Sequence, residues 1–237
     1  MKTGERGRPA PGDVRAVAVD IDGTLTDESR RMSLEAVSAL RRAEDSGVRV
    51  VLASGNVLPV AYAVSTYMGF KGPVVSENGG IVSHGQRVWM LGKADGPKAA
   101  WELVRKGLPA AERLFTDRWR ETEIGMRQDV DVEAVRGLAG ALDVDVQTTG
   151  WAIHIMAKGM DKVVGVRKAC ELMGLGLGDV AAIGDSENDI RMITECGWGV
   201  AIGNADPRTK ASASYVAEGA HGLGVVQALE WLRVLPD

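Results

Sequence analysis

Acidic side chains follow two apolar runs of the sequence, at points where predicted strands end. Asp20 and Asp22 close the first run, and Asp185 and Asp189 follow a later one. The carboxyl ends of parallel strands meet at one edge of a sheet, where ligands bind. Grouped carboxylates repel each other unless a proton or a cation compensates, and Mg²⁺ prefers such oxygen ligands. The four acids together therefore predict a Mg²⁺ site, although Asp20 and Asp22 alone would equally fit an acidic turn.

Donors that could hold an anion follow the second predicted strand. The Ser54 hydroxyl and the amides of Gly55 and Asn56 stand at a predicted helix N-terminus, which favours anions. Lys162 lies at another helix start, where the helix dipole disfavours a cation, so a nearby anion or carboxylate group would explain it. A plain helix cap and a solvated surface lysine are the structural alternatives. Donors beside an acidic metal site indicate chemistry on a phosphate.

Short β-branched runs alternate with helical patterns through most of the chain. Runs that are apolar on both faces predict strands of a parallel sheet. We expect such strands at 14–21, 48–53, 73–76, 180–183 and 199–202. Helices are expected at 33–47, from the turn at 54–56 to about 68, at 161–173, after 188 and from about 222. This order predicts an α/β fold with a doubly wound, parallel, Rossmann-like core.

The pattern changes between residues 81 and 156, which predict a small α/β unit with its own antiparallel sheet. Its expected elements are a hairpin at 81–90, helices at 95–106 and 131–142, and strands at 123–127, 144–148 and 151–156. We therefore expect a catalytic core at 14–80 and 157–237 and an inserted cap domain at 81–156. Residues 1–13, which contain basic, Gly and Pro residues and no apolar run, are expected to form a disordered tail.

The composition is that of an ordinary globular protein, with 45% apolar residues, 25% charged residues and a net charge of −4. No long basic run occurs, so nucleic acid is not an expected partner. No stretch reaches the roughly 18 apolar residues of a membrane span, so we expect no membrane insertion. Cys170 and Cys196 lack metal-type spacing and are expected to be free thiols in a reducing cytoplasm. A homodimer is a possible assembly.

Four segments, taken in order, resemble the four motifs of the haloacid dehalogenase superfamily of phosphatases. They are DIDGTLTD from residue 20, SGN from 54, KGMDK from 158 and GDSEND from 184. The insertion between the second and third motifs resembles the subclass with an α/β cap, and the segments 76–79 and 201–205 are also similar to that subclass. Because SGN stands where many relatives have TGR, the chain most resembles the archaeal-type phosphoglycolate phosphatases.

The resemblance implies a role for each matched residue. Asp20 would attack phosphorus, and Asp22 would protonate the leaving alkoxide and then activate the hydrolytic water. Mg²⁺ would be held by Asp20, the backbone carbonyl of Asp22, Asp185 and Asp189. The phosphoryl oxygens would be held by Ser54, Gly55, Asn56, Lys162 and Asn188.

The same resemblance implies hydrolysis of a small phosphate monoester, in the first place 2-phosphoglycolate. Its carboxylate would need a basic partner in the cap, for which Arg118, Arg120 and Arg127 are the candidates, and His84 could also face the substrate. A sugar phosphate or mannosyl-3-phosphoglycerate is the alternative substrate within the subclass. A phospho-accepting receiver module also uses strand-end acids, Mg²⁺ and a lysine, but the inserted unit and Asp22 favour turnover.

Overall fold

A computed structural model describes residues 7–149 and 151–236 of the chain. The strands are β1 (Ala16–Val19), β2 (Arg49–Ala53), β3 (Val74–Ser76), β4 (Ile81–His84), β5 (Arg87–Met90), β6 (Ile124–Arg127), β7 (Val144–Thr148), β8 (Ala152–Ala157), β9 (Val180–Gly184), β10 (Trp198–Ala201) and β11 (Tyr215–Val216). The helices are α1 (Leu34–Asp45), α2 (Leu58–Met68), α3 (Asp95–Gly107), α4 (Val132–Ala139), α5 (Lys162–Met173), α6 (Ile190–Glu195), α7 (Pro207–Ser212) and α8 (His221–Trp231).

The larger of the two sheets is parallel except at one end. Its order is β11-β10-β9-β1-β2-β3-β4-β5, and the strands from β11 to β3 pair in parallel. β1 lies in the middle, with Val19 paired to Leu52 of β2 and to Ile183 of β9. The carboxyl ends of β1 and β9 therefore lie side by side, where the two halves of the sheet meet. The predicted doubly wound α/β core is confirmed.

Helices cover both faces of this sheet, because β1 and its neighbours are apolar on both sides. Val17 and Val19 pack in one cluster with α1 and α8, whereas Ala16 and Ala18 pack in a second cluster with α5 and α6. β1 is buried along its whole length, as expected of a central parallel strand. Among the described residues, no helix is both long enough and apolar enough to cross a membrane.

The hairpin at 81–90 belongs to the larger sheet and corrects the expected start of the cap. β4 pairs antiparallel with β3, where Ile81 lies opposite Ser76, and β5 pairs antiparallel with β4. The tight turn at 77–80 reverses the chain beside β3, so β4 adds to that edge of the large sheet. The segment that does not pair with the large sheet therefore begins after Met90, and not at residue 81 as the sequence indicated.

The smaller sheet is antiparallel, in the order β6-β8-β7. The helices α3 and α4 pack on it through a separate apolar cluster that includes Val104, Val135 and Ile153. This unit stands between β5 and α5 in the chain, so it is an insertion between the two halves of the large sheet. The antiparallel sheet predicted for this part of the sequence is present.

Residues 7–13 pack against the end of α8. The Arg8 Nε donates to the Trp231 carbonyl at 2.8 Å, the Arg8 Nη2 donates to the Glu230 carbonyl at 2.9 Å, and Pro9 is buried. Residues 7–13 therefore have partners in the fold, and the disordered tail expected at 1–13 stays a prediction. Residues 1–6 lie outside the described part of the chain.

Candidate active site

Three carboxylates meet at the carboxyl ends of β1 and β9. Asp20 follows β1, Asp185 follows β9, and Asp189 ends the helical turn that leads into α6. One carboxylate oxygen of each residue lies within 4.8 Å of those of the other two. The Thr24 hydroxyl donates to Asp185 Oδ1 at 2.8 Å and helps to orient it. An all-oxygen donor set fits Mg²⁺, so these three carboxylates could hold the expected ion.

The loop after Asp20 reaches Asp185 because residue 23 is glycine. Gly23 has a φ of +86°, and a Cβ atom there would lie 2.5 Å from Asp185 Oδ2. The Gly23 carbonyl accepts from Asn204 Nδ2 at 3.0 Å and lies 2.8 Å from His221 Nδ1. These contacts fix the loop against the segment that follows β10 and against the start of α8. The DIDGT segment can therefore approach Asp185 closely because Gly23 has no side chain.

Lys162 is the positive charge within the acidic group. Its Nζ lies 2.5 Å from Asp20 Oδ1 and 2.7 Å from Asp189 Oδ1, and its side chain is buried. It is the first residue of α5, and Asp161 caps that helix by accepting from the Val163 amide at 2.9 Å. The alternative of a solvated surface lysine is therefore excluded.

The acidic group carries more negative charge than Lys162 neutralises. Burial raises the pKa of Asp20 well above its ordinary value, Lys162 opposes this shift, and Asp189 adds to it. Burial, reinforced by Asp189, raises the pKa of Asp185 to about 7. Burial lowers the pKa of Lys162, but Asp189 and Asp20 outweigh this and raise it. A divalent cation would relieve the remaining repulsion between the carboxylates.

Asp22 faces the predicted anion-binding loop and does not join the other three carboxylates. Asn56 Nδ2 donates to Asp22 Oδ2 at 2.5 Å, and Arg30 Nη2 donates to Asp22 Oδ1 at 3.1 Å. Ser54 Oγ accepts from the Asn56 amide at 3.0 Å. The strand-end pattern predicted a group of four carboxylates, and the structure brings together three of them. The metal contact that the resemblance implies for the Asp22 backbone carbonyl stays a prediction.

The predicted phosphate-binding residues divide into two sets. Gly55, Asn56 and Asn188 line a cavity together with Asp20, whereas Ser54 and Lys162 are fully buried. Ser54 and Lys162 reach the cavity through their hydrogen bonds to Asn56 and Asp20. We therefore expect them to act through these neighbours until the site rearranges around a ligand.

A buried chain of hydrogen bonds joins the acidic site to the small sheet. Asn188 Nδ2 donates to Asn78 Oδ1, and Asn78 Nδ2 donates to Glu123 Oε2, both at 2.9 Å. Glu123 Oε1 in turn lies 3.0 Å from His154 Nδ1 and forms an ion pair with Arg120. Asn188, predicted as a phosphate ligand, therefore donates its hydrogen bond to Asn78, which lies in the turn between β3 and β4.

The cavity between the large-sheet edge and the insertion has a volume of about 360 Å³, which suits a small ligand. Asp20, Asp22 and Asn56 line one side of it, and Arg120 and His154 of the insertion line the other. The nucleophile and acid predicted from the sequence therefore share one cavity with two basic residues of the insertion.

Of the three arginines considered for a substrate carboxylate, Arg120 alone lines this cavity within the described residues. Its Nη1 donates to the Gly55 carbonyl at 2.9 Å. Arg118 is exposed and lies over two aromatic rings, and Arg127 is exposed and paired with two surface acids. His84 is exposed on β4 and lies outside the cavity lining.

Sequence reasoning missed Arg30, Asn78 and His154. Arg30 pairs with Asp22, and its guanidinium carbon lies 5.7 Å from the centre of the Trp151 ring. His154 is a polar side chain in the otherwise apolar strand β8. That interruption of an apolar pattern was the available signal. Arg30 carries no comparable signal, because it lies in a polar loop segment and its pairing with Asp22 depends on how that loop folds back.

The sequence profile of the haloacid dehalogenase-like hydrolases matches residues 17–95 and 137–229, which together make up most of the chain. The chain belongs to this family. The resemblance drawn from its four motifs is thereby confirmed, and the matched segments contain the acids of both clusters.

Named relatives match this haloacid dehalogenase-like hydrolase over nearly its whole length. A phosphoglycolate phosphatase of Methanothermobacter thermautotrophicus is 43% identical over 216 residues, which are 91% of this chain and 97% of the relative. A phosphoglycolate phosphatase of Methanosarcina acetivorans is 39% identical over 223 residues, 92% of this chain and 96% of the relative. A crystal structure of a Thermoplasma acidophilum protein has a TM-score of 0.87 at 32% identity and covers 94% of this chain and 99% of its own.

The family, the relatives and the site agree on the class of chemistry. This haloacid dehalogenase-like hydrolase is an enzyme of phosphate monoester hydrolysis. The cavity beside Asp20 and Asp22 is the candidate place for that reaction.

Proposed function

We propose that this haloacid dehalogenase-like hydrolase converts 2-phosphoglycolate to glycolate and phosphate, with Mg²⁺ and through a phospho-aspartate on Asp20. The observation that carries the proposal is the group of Asp20, Asp185 and Asp189 around Lys162, beside the cavity that also holds Asp22. The substrate rests on the relatives, two of which are phosphoglycolate phosphatases that match nearly end to end.

Asp20 is the nucleophile in this proposal. Its Oδ1 accepts from Lys162, and an oxygen of the carboxylate attacks phosphorus. The bond between phosphorus and the ester oxygen breaks as the Asp20–phosphorus bond forms, which leaves an acyl phosphate and glycolate. The dianionic phosphate and the carboxylate repel each other, so the surrounding positive charge lowers the barrier.

Asp22 is proposed as the general acid and base. It protonates the leaving ester oxygen in the first step and accepts a proton from water in the second, when that water attacks phosphorus and frees Asp20. Its hydrogen bonds to Asn56 and Arg30 hold the carboxyl group at the cavity. Because a side chain 20% exposed stays in reach of water, both proton transfers have a route.

Mg²⁺ would be held by the carboxylates of Asp20, Asp185 and Asp189 and by the Asp22 carbonyl. When bound, it would offset the repulsion between the nucleophile and the phosphate. The phosphoryl oxygens are proposed to contact the amides of Gly55 and Asn56, with further hydrogen bonds from Ser54, Lys162 and Asn188 as the site closes on the ligand.

The test is phosphate release from a panel of monoesters with Mg²⁺, comparing wild type with Asp20→Asn. The panel contains 2-phosphoglycolate, sugar phosphates and mannosyl-3-phosphoglycerate. We expect the highest kcat/KM on 2-phosphoglycolate and a loss of at least about 10³-fold in Asp20→Asn, since the nucleophile is removed. Asp27→Asn, in the same segment but half-buried outside the acidic group, is the control and should retain activity.

The outcomes separate the parts of the proposal. A preference for a sugar phosphate or for mannosyl-3-phosphoglycerate would overturn the substrate and leave the mechanism standing. Full turnover by Asp20→Asn would overturn the covalent mechanism. Stable labelling of the wild type by acetyl phosphate without phosphate release would favour the receiver module.

A further inference from the structure

The wall of the cavity that the insertion supplies contains a compact group of three charged or ionisable side chains. Arg120, Glu123 and His154 have side chains that are 3%, 1% and 4% exposed. Arg120 and His154 line the same cavity as Asp20 and Asp22. Buried ionisable groups are costly unless they serve each other or a ligand, so this group needs an explanation.

Glu123 is the member that orients the other two. Its Oε2 accepts from Asn78 at 2.9 Å, and its Oε1 faces both His154 Nδ1 and Arg120 Nη1. Burial raises the pKa of Glu123, but His154 and Arg120 outweigh burial and hold it below its ordinary value. The carboxylate is therefore ionised, and both of its oxygens accept from neighbouring side chains.

Donor capacity is left over on the two basic residues. Within the described residues, neither Arg120 Nη2 nor His154 Nε2 has a hydrogen-bond partner. The His154 ring is held at Nδ1, so Nε2 is the nitrogen left for a ligand. Because Nδ1 faces the Glu123 carboxylate, Nε2 donates only when both ring nitrogens carry protons, and a ligand carboxylate would require that form of the ring.

We propose that Arg120 and His154, oriented by Glu123, bind the carboxylate of the leaving group and so select phosphate esters of short hydroxy acids. This inference rests on the proposed function and names the residues that choose its substrate. The carboxylate accepts from Arg120 Nη2 and from His154 Nε2, while the phosphate lies at Asp20 across the cavity. The phosphate ester of a neutral alcohol would leave both donors unpaired and is therefore a poorer substrate.

Arg30 is the competing cation, since it reaches the same cavity from the large sheet. Its side chain is 58% exposed, and its Nη2 is already 3.1 Å from Asp22 Oδ1. A carboxylate placed on Arg30 would compete with Asp22 in a solvated position, where an ion pair contributes little. The buried pair of Arg120 and His154 is the better site for discrimination.

The experiment compares 2-phosphoglycolate with ethyl phosphate, which lacks the carboxylate, by the ratio of their kcat/KM values. His154→Asn retains an amide near the position of Nδ1 for Glu123 and removes the donor at Nε2. His154→Gln instead places an amide nearer the position of Nε2. We expect the ratio to fall at least about tenfold in His154→Asn and to recover in part in His154→Gln, because a hydrogen bond between charged groups is lost and then replaced by a weaker one. His84→Asn, at the exposed histidine of β4, should leave the ratio unchanged.

The results separate this inference from the function on which it rests. If wild type does not prefer 2-phosphoglycolate to ethyl phosphate, the proposed substrate fails first. If wild type prefers it and His154→Asn keeps the full ratio with an unchanged Tm, the carboxylate site is wrong. A fall in the ratio for Arg30→Gln but not for His154→Asn would also overturn it. A structural role alone would lower both kcat/KM values and the Tm together and leave the ratio constant.

Discussion

Individual side chains at the sheet edge hold like charges close together in a buried place. Asp20, Asp185 and Asp189 share one lysine, and burial raises the pKa of both Asp20 and Asp185. Such a group contributes little to stability, but it can bind a cation. Its effect on the free energy of unfolding should therefore depend on both pH and metal.

Asp185→Asn is expected to reduce the pH dependence of stability in the metal-free chain. The pKa of Asp185 is raised to about 7 in the folded chain, above its unfolded value of about 3.9, so the folded chain binds the proton more tightly. This contribution is complete below about pH 4 and is lost as the pH rises to about 7. In EDTA, the free energy of unfolding of wild type should fall by about 2–3 kcal/mol more than that of the variant between pH 5 and pH 8.

Urea unfolding at the two pH values measures this difference. Replacing EDTA with Mg²⁺ at pH 8 should stabilise wild type and have little effect on the variant, because an ion that binds only the folded chain stabilises it. An equal fall in both proteins, or equal stabilisation by Mg²⁺, would show that Asp185 does not belong to the metal site.

At the scale of elements, the turn between β3 and β4 connects the two sheets. Glu77, Asn78 and Gly79 all have positive φ values of 47°, 49° and 95°. The buried Glu77 accepts from the Thr122 amide at 2.8 Å and from its hydroxyl at 2.7 Å. Burial raises the pKa of Glu77, while the hydrogen bonds from Thr122 oppose the shift. The strained turn is thus held by contacts that cross to the insertion.

Gly79→Ala should destabilise the protein strongly. A Cβ atom at this position would lie 1.9 Å from the Asp161 carbonyl oxygen, next to the start of α5, and the φ of +95° disfavours any side chain. We expect a loss of about 3 kcal/mol or more in the free energy of unfolding by urea. Gly85→Ala is the matched control, with a φ of +59° and nothing within 4 Å of the added atom, and should cost about 1 kcal/mol. Equal losses in the two variants would contradict the packing argument.

At the scale of the whole molecule, two apolar layers enclose the large sheet, and both cysteines lie in one of them. Cys170 is 3% and Cys196 0% exposed, and neither forms a disulfide. Burial raises the pKa of Cys170 to about 11 and raises that of Cys196 further. The free thiols expected from the sequence are thus present, while residence in the cytoplasm and a homodimer stay predictions.

Both thiols should react with an aromatic disulfide reagent only when the core opens. Reaction requires an exposed thiolate, and burial suppresses both exposure and ionisation. We expect negligible labelling of the native chain near pH 8 and labelling of both cysteines at one common urea midpoint, equal to that seen by circular dichroism. Rapid labelling of one thiol in the native chain would show that this layer opens locally.

Local residue patterns are enough to predict the alternation of strands and helices, the strand-end acids and the order of the four motifs. Those features are local, because apolar periodicity and glycine positions act over a few neighbouring residues. Asp20 and Asp185 could be predicted to meet because parallel strands end at a common edge. Lys162 stands at a helix start, where a cation is disfavoured unless an anion lies near it.

Local patterns do not predict which sheet the hairpin 81–90 joins, or which side chains of the insertion reach the cavity. Pairing of β4 with β3 depends on an available sheet edge, which the pattern of the hairpin does not encode. Similarly, His154 and Arg120 are adjacent only because β6 and β8 are paired and Glu123 lies between them. Contacts between residues distant in the chain depend on packing, and packing follows from the whole fold.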